Sequence, residues 1–311
     1  MSEYGHVAVL MGGWSEERPI SLISGQCAYE ALCARDVEAS AVDLQRETLP
    51  QLAEQGFDRC FLALHGIGGE DGEVQQALEE MGLPYSGSGP EASRVCMDKL
   101  ETKKRWWRAG LPTPKGALAD PDRLEEQCEE LGLPLVVKPV DQGSSIGVIF
   151  AHQAEDVPPA VEEAQQHGSR ILLERQAQGT EYTVGILGEE ALPIIRLCPQ
   201  NEFFDYQAKY ESEDTRYDIP CGLPEAMERE LAALAFRAFE CTGAKGYGRV
   251  DLILDELDRP WLLEVNTAPG LRRHSLLPMA AEAAGLDYED LILKMLDTSL
   301  LQVSAEETVD G

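Results

Sequence analysis

Apolar residues in the first hundred positions fall into short continuous runs that are separated by stretches with helical spacing. The strand-like runs are HVAVLMGG, ASAVDL and RCFLALHG, and the helix-like stretches are SEERPISLISGQCAYEALCAR, ETLPQLAEQG and EDGEVQQALEEMG. Strands that alternate with helices predict a parallel, doubly wound α/β sheet, which binds ligands at the carboxyl ends of its strands. MGGWSEER and LHGIGGEDG occupy two of these ends. The spacing GxGxxG is absent, so a dinucleotide fingerprint is not supported.

After Met97 the pattern predicts two further units that combine helices with antiparallel strands. The first begins with the basic amphipathic helix MDKLETKKRWWRAG and contains a strand, a glycine-serine loop and a second strand in LPLVVKPVDQGSSIGVIF. The second contains the strands EYTVGILG and ALPIIRL, a polar aromatic loop, the long helix EAMERELAALAFRAFECTG and a hairpin. We therefore expect three domains, at residues 1–96, 97–180 and 181–311.

The hairpin in GYGRVDLILDELDRPWLLEVN separates an apolar face from a polar face. Residues two apart on a strand share a face. A loop at residues 256–259 would therefore pair Arg249 with Asn266 and Asp251 with Glu264 on the polar face. The same register pairs Val250 with Val265, Leu252 with Leu263, Leu254 with Trp261, and Asp255 with Pro260. A slip of one residue would mix the two faces, so the pattern predicts this register.

The polar face of this hairpin has the chemistry of a metal or phosphate site. Asp251, Glu264 and Asn266 supply hard oxygen ligands without Cys or His, which suits Mg²⁺ held against phosphates better than Zn²⁺. The alternative is the solvated outer face of an antiparallel hairpin. We favour the metal site, because both strands are otherwise rich in Leu, Ile and Val.

Three other segments could bind a phosphorylated ligand, although each also has an ordinary structural interpretation. Lys138 precedes a loop of small residues whose backbone N–H groups could approach an anion, but the loop is not a Walker motif and could be a simple hairpin turn. Glu174 and Glu181 could bind an adenine amino group or ribose hydroxyls, or could be surface carboxylates. The segment FFDYQAKYESEDTRY predicts a lid that excludes water, or a surface loop anchored by aromatic residues.

Charge and composition narrow the class of protein. The chain has 56 acidic and 26 basic residues, a net charge of −30, which rules against a nucleic-acid or anionic-membrane surface. A phosphate site would therefore need a local cluster of Lys and Arg. Such an acidic surface also fits adaptation to high salt. The eight cysteines form no CxxC pair, and we see neither a membrane-spanning run nor a signal peptide, so we expect buried, reduced thiols in a cytoplasmic protein.

The motifs, taken together and in order, resemble the D-alanine–D-alanine ligase family of the ATP-grasp superfamily. The resemblance covers nearly the whole chain and rests on MGGWSEERPISLISG, ALHGIGGEDG, LPYSGSG, MDKLETK, VVKPVDQGSSIGV, LLERQAQGTEYTV, DYQAKY, GRVDLIL, EVNTAPG and HSLLPMAA. It implies a Rossmann-like N-terminal sheet and two α+β domains that sandwich ATP. It also implies that two D-alanines condense through a D-alanyl phosphate, with release of ADP and phosphate, for peptidoglycan precursor synthesis. The family further implies a homodimer.

The resemblance implies a nucleotide site between the second and third domains. Lys99 and Lys138 would contact the phosphates, and Lys209 on the lid would reach the γ-phosphate. The loop at Ser144 and Ser145 would close over the phosphates. The other implied residues would hold or adjoin adenosine: Glu174, Arg175, Ala177, Glu181, Phe203 and Leu263.

The implied metal and oxyanion groups come from the hairpin and the loop that follows it. Asp251, Glu264 and Asn266 would hold two Mg²⁺ ions, which Mn²⁺ could replace. Arg249 and the backbone of Gly270 would stabilise the tetrahedral oxyanion.

The implied substrate groups come mainly from the two ends of the chain. Glu17 would bind the ammonium group of the first D-alanine, and His65 would lie near its carboxylate. Ser275 would bind the carboxylate of the second D-alanine. Glu17, Ser144 and Tyr210 would form a hydrogen-bonded closure over the site.

The chain departs from the family pattern next to the implied acceptor site. Family members often read NTSPGMT, whereas this chain reads NTAPGLRR. Arg272 and Arg273 could alter acceptor binding, or could point outward and pair with the acidic surface, and we favour the outward orientation. Smaller departures in or near the loops are Pro19, Gln142, Arg175 and Gln207.

Three alternative functions follow from the same residues. The first is a ligase that uses D-lactate or D-serine as acceptor, although Tyr210 after Lys209 is typical of the dipeptide-forming members. The second is an ATP-grasp carboxylase that works through carboxyphosphate, against which Glu17, Tyr210 and Ser275 argue. The third is a non-catalytic ATP-binding protein, which should have lost Arg249 or one of the implied metal ligands.

Overall fold

A computed structural model describes residues 4–143, 145–198 and 216–300. Its first sheet has three parallel strands in the order β2-β1-β3, which confirms the predicted parallel sheet. The elements of this part are β1 (Val7–Gly12), α1 (Arg18–Ala34), β2 (Ala39–Leu44), a short 3₁₀ helix (Leu49–Glu54), β3 (Arg59–Leu62) and α2 (Glu73–Met81).

Strand β1 is apolar throughout because both of its faces are covered. Val7 and Val9 belong to one hydrophobic core, and Ala8 and Leu10 belong to a second core on the opposite face. The chain then turns sharply at Gly12 and Gly13, whose φ angles of 84° and 80° are in the left-handed region that glycine adopts at little cost. This turn places the start of α1 at the carboxyl end of the central strand.

The second sheet is antiparallel and has the strand order β4-β7-β5-β6. Helix α4 precedes it, and the Asp98 side chain caps that helix by accepting hydrogen bonds from the N–H groups of Leu100 and Glu101. The cap fixes Lys99 as the first residue of the helix. The elements of this part are α3 (Pro90–Met97), α4 (Lys99–Arg108), β4 (Gly116–Leu118), α5 (Leu124–Leu131), β5 (Leu135–Pro139), β6 (Ile149–Ala151), a 3₁₀ turn (Ala154–Asp156), α6 (Val157–Ala164) and β7 (Ile171–Arg175).

The third sheet has six antiparallel strands in the order β11-β10-β8-β12-β13, with β9 paired to β8. The predicted long helix is present as α7. The elements of this part are β8 (Thr180–Leu187), β9 (Glu190–Ala191), β10 (Ile195–Cys198), β11 (Arg216–Asp218), α7 (Glu225–Cys241), β12 (Tyr247–Leu254), β13 (Pro260–Asn266), α8 (Leu276–Ala283) and α9 (Tyr288–Asp297).

Hydrophobic packing joins the predicted third domain to each of the other two. Trp106 of α4 is fully buried in the core of the third sheet, and its indole Nε1 donates a hydrogen bond of 2.9 Å to the Ala238 carbonyl. Helices α8 and α9, at the other end of the chain, share a core with β1 and α1. The division into domains 1–96, 97–180 and 181–311 stays a proposal.

The predicted hairpin register is correct at its polar end and wrong at its distal end. Arg249 pairs with Asn266 and Asp251 pairs with Glu264, as predicted. Leu252 then pairs with Leu262 instead of Leu263, because a β-bulge follows Asp251 and leaves Leu263 without a partner in β12. The remaining predicted pairs shift accordingly: Ile253 faces Trp261 and Leu254 faces Pro260.

The bulge gives two successive leucines different surroundings. Leu262 is fully buried in the core of the third sheet. Its backbone N–H donates to the Pro112 carbonyl at 2.9 Å, and its carbonyl accepts from Thr113 Oγ1 at 2.8 Å. Leu263 lines a cavity on the other face of the hairpin.

All eight cysteines lie in the described residues and are free thiols. Their burial is more varied than predicted: Cys60, Cys96, Cys128 and Cys221 are buried, whereas Cys33 is exposed. Among the described residues, the helices are all too short or too polar to span a membrane.

Candidate active site

Two cavities meet along the polar face of the β12–β13 hairpin. The large cavity, about 680 Å³, lies between the second and third sheets. The small cavity, about 300 Å³, lies between the third sheet, α1 and the segment before α8. Lys99 and Glu264 line both cavities, so a ligand in one could react with a ligand in the other at this junction.

Most of the described residues implied to bind nucleotide line the large cavity: Lys99, Lys138, Ser145, Glu174, Ala177, Glu181 and Leu263. Arg175 lies outside it with an exposed side chain, and its backbone N–H donates to the Lys115 carbonyl at 2.8 Å. Ser144, Phe203, Lys209 and Tyr210 fall outside the described residues.

Glu174 is a buried carboxylate with only 2% exposure. Its Oε1 lies 3.0 Å from Lys138 Nζ, and its Oε2 lies 2.6 Å from Lys103 Nζ. Burial alone would raise the pKa of Glu174, but the charges of the two lysines outweigh it and lower that pKa. The large cavity therefore contains a carboxylate held ionised between two cations.

Lys103 lines neither cavity but contacts the cavity residue Glu174, and it was not predicted from the sequence. It is completely buried, and this burial lowers the pKa of its ammonium group to about 8 in spite of the nearby Glu174. Its Nζ also donates to Thr113 Oγ1 at 2.7 Å. The signal was available in MDKLETK, because Lys103 follows Lys99 by four residues and so lies on the same face of α4.

Lys99 ties the glycine-serine loop to the site. Its Nζ donates a 2.6 Å hydrogen bond to the Gln142 carbonyl and lies 3.5 Å from Glu264 Oε2. The contact at Gln142 uses the backbone, which explains why glutamine can replace the glutamate that is frequent there. Gly143 adjoins the small cavity, where a Cβ would lie 3.3 Å from Glu17 Oε1.

The implied substrate and oxyanion residues of the described chain line the small cavity together with the junction residues: Glu17, His65, Lys99, Arg249, Glu264, Asn266, Gly270 and Ser275. His65 is buried, with Nε2 at 2.9 Å from Ser24 Oγ and Nδ1 at 3.0 Å from the Ala268 carbonyl. Glu70, which the sequence analysis did not single out, has its Oε1 3.7 Å from His65 Nδ1. One possible ligand atom each from Glu17, His65 and Glu70 lies within 4.8 Å of the others.

The implied metal ligands are only partly directed at the cavities. Glu264 and Asn266 line the small cavity, but Asp251 is buried and lines neither cavity. Both Asp251 carboxylate oxygens accept hydrogen bonds from Arg249, at 2.8 and 2.7 Å, and Oδ1 also accepts from Thr183 Oγ1 at 2.5 Å. The donor set of two carboxylates and an amide fits Mg²⁺ or Mn²⁺, provided that Asp251 exchanges its bonds with Arg249.

The expected outward orientation holds for Arg273 but not for Arg272. Arg273 is exposed, lies 2.5 Å from Glu289 Oε1 and stacks over the Tyr288 ring at 4.4 Å. Arg272 instead lines the small cavity, in the segment that joins Gly270 to Ser275. A backbone hydrogen bond of 2.8 Å from the Ser275 N–H to the Arg272 carbonyl closes the turn before α8 and fixes this position.

Two antiparallel sheets that enclose one cavity, beside a Rossmann-like parallel sheet, define the ATP-grasp class of ligases. The family model described as D-ala D-ala ligase C-terminus matches residues 110–297. The chain belongs to the D-alanine–D-alanine ligase family.

Individual relatives cover nearly the whole chain. The D-alanine–D-alanine ligase of Alkalilimnicola ehrlichii is 51% identical, over 94% of this chain and 94% of the relative. The crystal structure of the ligase from Bacillus anthracis has a TM-score of 0.87 and 34% identity, covering 97% of this chain and 99% of the other. A second crystal structure, of a D-alanine–D-alanine ligase from Bacillus anthracis complexed with ATP, has a TM-score of 0.84 and 32% identity, covering 97% of this chain and 99% of the other.

Proposed function

We propose that this protein joins two molecules of D-alanine to D-alanyl-D-alanine, with ATP as co-substrate and ADP and phosphate as products. The observation that carries the proposal is the junction of the two cavities at Lys99 and Glu264. A nucleotide in the large cavity would present its γ-phosphate to a carboxylate in the small cavity. Phosphorylation of that carboxylate gives a D-alanyl phosphate, which has the leaving group that a free carboxylate lacks.

In this proposal the large cavity holds ATP. Lys99 and Lys138 bind the phosphates, with Ser144 and Ser145 above them, and Lys209 reaches the γ-phosphate. Glu174, Ala177, Glu181 and Leu263 hold adenosine with Phe203, whereas Arg175 contributes no lining. The Bacillus anthracis relative complexed with ATP supports this role for the cavity.

Mg²⁺ or Mn²⁺ would be held at the junction by Glu264 and Asn266, with Asp251 joining after Arg249 releases it. Two such ions, when bound, would offset the negative charge of the phosphates during transfer. The chain's own residues orient the reacting groups. Glu264 lies between the two ligands, and its 3.5 Å contact with Lys99 keeps a cation beside the transferred phosphoryl group.

The small cavity would hold both amino acids. Glu17 binds the ammonium group of the first D-alanine, and His65, fixed by Ser24, lies near its carboxylate. Ser275 binds the carboxylate of the second D-alanine, and the Glu17, Ser144 and Tyr210 closure shields the acyl phosphate from water.

The oxyanion would be stabilised by Arg249 and the backbone N–H of Gly270. Arg249 can serve only after leaving Asp251, so metal binding and oxyanion stabilisation are coupled in this proposal. Gly270 is suited to its role because a Cβ there would lie only 3.1 Å from Ser275 Oγ.

We also propose a cytoplasmic homodimer that supplies peptidoglycan precursor synthesis. The free thiols suit a reducing compartment, and the dimer rests on the family resemblance alone. Light scattering on the purified protein would measure its mass in solution. A monomer mass over the working concentration range would overturn the proposed dimer.

The activity is tested by phosphate release and mass spectrometry with ATP, Mg²⁺ and D-alanine, with D-lactate or D-serine added as competing acceptors. We expect release that requires D-alanine and a product that is D-alanyl-D-alanine. If D-alanyl-D-lactate or D-alanyl-D-serine formed in preference to D-alanyl-D-alanine, the alternative acceptor would be established. ATP binding without turnover would establish a non-catalytic protein.

The metal assignment has its own test in E264Q. We expect the variant to lose at least about 100-fold in kcat, because removal of one preorganised charged group from a phosphoryl-transfer site typically costs two or more orders of magnitude. Circular dichroism should show an unchanged fold, and E256Q, in the turn between β12 and β13, is the matched control. Near-normal turnover by E264Q would overturn the assignment of Glu264 as a metal ligand.

A further inference from the structure

Arg272 is the cation of the small cavity that the proposed reaction does not use. The other two cations that line this cavity are engaged: Arg249 with Asp251, and Lys99 with Glu264 and the Gln142 carbonyl. Arg272 forms no ion pair with the residues that the structure describes. Its Nε is buried and has no hydrogen-bond partner in that part of the chain.

A buried guanidinium N–H without an acceptor is costly, and such groups in native proteins normally have a partner. Arg273, the next residue, shows that the segment can satisfy an arginine with protein groups, since it pairs with Glu289 and stacks on Tyr288. Among the described residues, Arg272 has no such partner for its Nε, and it lies on the wall of the small cavity. Because Arg272 lines the cavity and forms no ion pair with the described residues, its positive charge is available to an anionic ligand that enters there.

The adjoining helix terminus points to an anionic ligand. Ser275 is the N-cap of α8, yet its side chain makes no capping hydrogen bond, so the hydroxyl and the first N–H groups of the helix stay available. Ser275 lines the same cavity as Arg272. A planar carboxylate is the anion that a guanidinium binds in a bidentate manner.

We propose that Arg272 binds the carboxylate of the acceptor D-alanine together with Ser275, and so sets the preference of this chain for an acceptor amino acid. The inference rests on the proposed ligation of two D-alanines. The surroundings of the small cavity oppose a carboxylate, because Glu17, Glu70 and Glu264 also line the cavity and the protein has a net charge of −30. A carboxylate entering that field requires a cation that is not already paired.

The test compares R272Q with R273Q, which is the matched control because Arg273 is engaged outside the cavity. Initial rates are measured by phosphate release at saturating ATP, over a D-alanine range wide enough to separate donor and acceptor KM values. A second series varies ATP at saturating D-alanine to give the KM for ATP. We expect R272Q to raise the acceptor KM by about tenfold or more, as for the loss of a charged hydrogen bond. The donor KM, the KM for ATP and kcat should change less than about twofold, R273Q should match the wild type, and R272K should restore part of the acceptor affinity.

The outcomes separate this inference from the proposed function. If the wild type forms dipeptide and R272Q has an unchanged acceptor KM, Arg272 does not bind the acceptor. Equal losses in donor KM, acceptor KM and kcat would show a structural role and would also overturn the inference. A wild type that forms no dipeptide would overturn the proposed function itself, and the inference with it.

Discussion

Among single residues, Lys103 shows most clearly how burial changes what a side chain can do. A charged group without exposure is tolerated only when it is paired, and Lys103 is paired with Glu174 and bonded to Thr113. The Thr113 hydroxyl in turn donates to the Leu262 carbonyl of β13. One side chain therefore connects the second sheet, through Glu174, to the strand that carries Glu264.

The lowered pKa of Lys103 predicts how stability depends on pH. Burial lowers that pKa from 10.5 to about 8, so between these values the folded protein has lost a proton that the unfolded chain still binds. Stability rises with pH wherever the unfolded state binds more protons. The free energy of unfolding of the wild type, relative to K103M, should therefore increase from about pH 8 to about pH 10, by no more than about 3 kcal/mol.

Urea unfolding of both proteins at a series of pH values measures this difference directly. Comparison with K103M removes the contributions of tyrosines and thiols, which titrate in the same range in both proteins. K104M is a suitable control, since Lys104 is on the same helix but pairs at the surface with Glu101. A difference between wild type and K103M that stays constant with pH would show that Lys103 remains fully protonated in the fold.

At the scale of elements, the bulge in β13 decides which residues face the large cavity. Strict alternation would place Leu263 on the apolar face opposite Leu252, whereas the family resemblance implied a position beside adenosine. The bulge instead sends Leu262 into the core and turns Leu263 toward the large cavity, next to Ile253 and Glu264. A local irregularity thus adds an apolar wall beside the carboxylate of Glu264, for which we propose a metal-binding role.

The two leucines therefore make a matched pair of variants. L262A should lower the free energy of unfolding by about 2–5 kcal/mol, because it opens a cavity in the core, and should change ATP affinity little. L263A should cost less than about 1 kcal/mol in stability, since Leu263 is only partly buried, and should weaken ATP binding several-fold. Urea unfolding and calorimetric titration with ATP measure the two effects. If L263A lost the stability and L262A lost the ATP affinity, the register without a bulge would be the correct one.

Elements formed by interactions between residues close in the sequence could be predicted, and those formed by distant residues could not. The parallel sheet and the polar end of the hairpin could be predicted, because period-two alternation and buried apolar runs are local signals. The bulge could not be predicted in this way, since Leu262 is held by Pro112 and Thr113, which are far away in the sequence.

Over the whole molecule, the motifs indicated which residues lie around the two cavities, but not which hydrogen bonds and ion pairs these residues form. Lys99, Lys138 and Glu264 were expected near one ligand, and they line adjoining cavities. Motif spacing did not show that Asp251 is held by Arg249 or that Arg272 turns inward. Those outcomes depend on side-chain packing between segments, for which one sequence carries no local signal.

The net charge of −30 is a property of the whole molecule, and it predicts a response to salt. Exposed ion pairs such as Arg18–Asp43 and Arg46–Glu73 weaken as salt rises, but each contributes only about 0–1 kcal/mol. Repulsion among 56 acidic residues, opposed by 26 basic ones, acts over the entire surface and is screened by the same ions. The loss of repulsion should outweigh the loss of ion pairs, so the midpoint of thermal unfolding should rise by about 3–5 °C between about 0.1 M and about 1 M KCl.

Calorimetry in KCl and in NaCl measures this rise, and equal effects of the two salts would attribute it to screening. A midpoint that does not change with salt would contradict both the dominance of repulsion and adaptation to high salt, because an acidic surface tuned to concentrated salt must lose stability when the salt is removed.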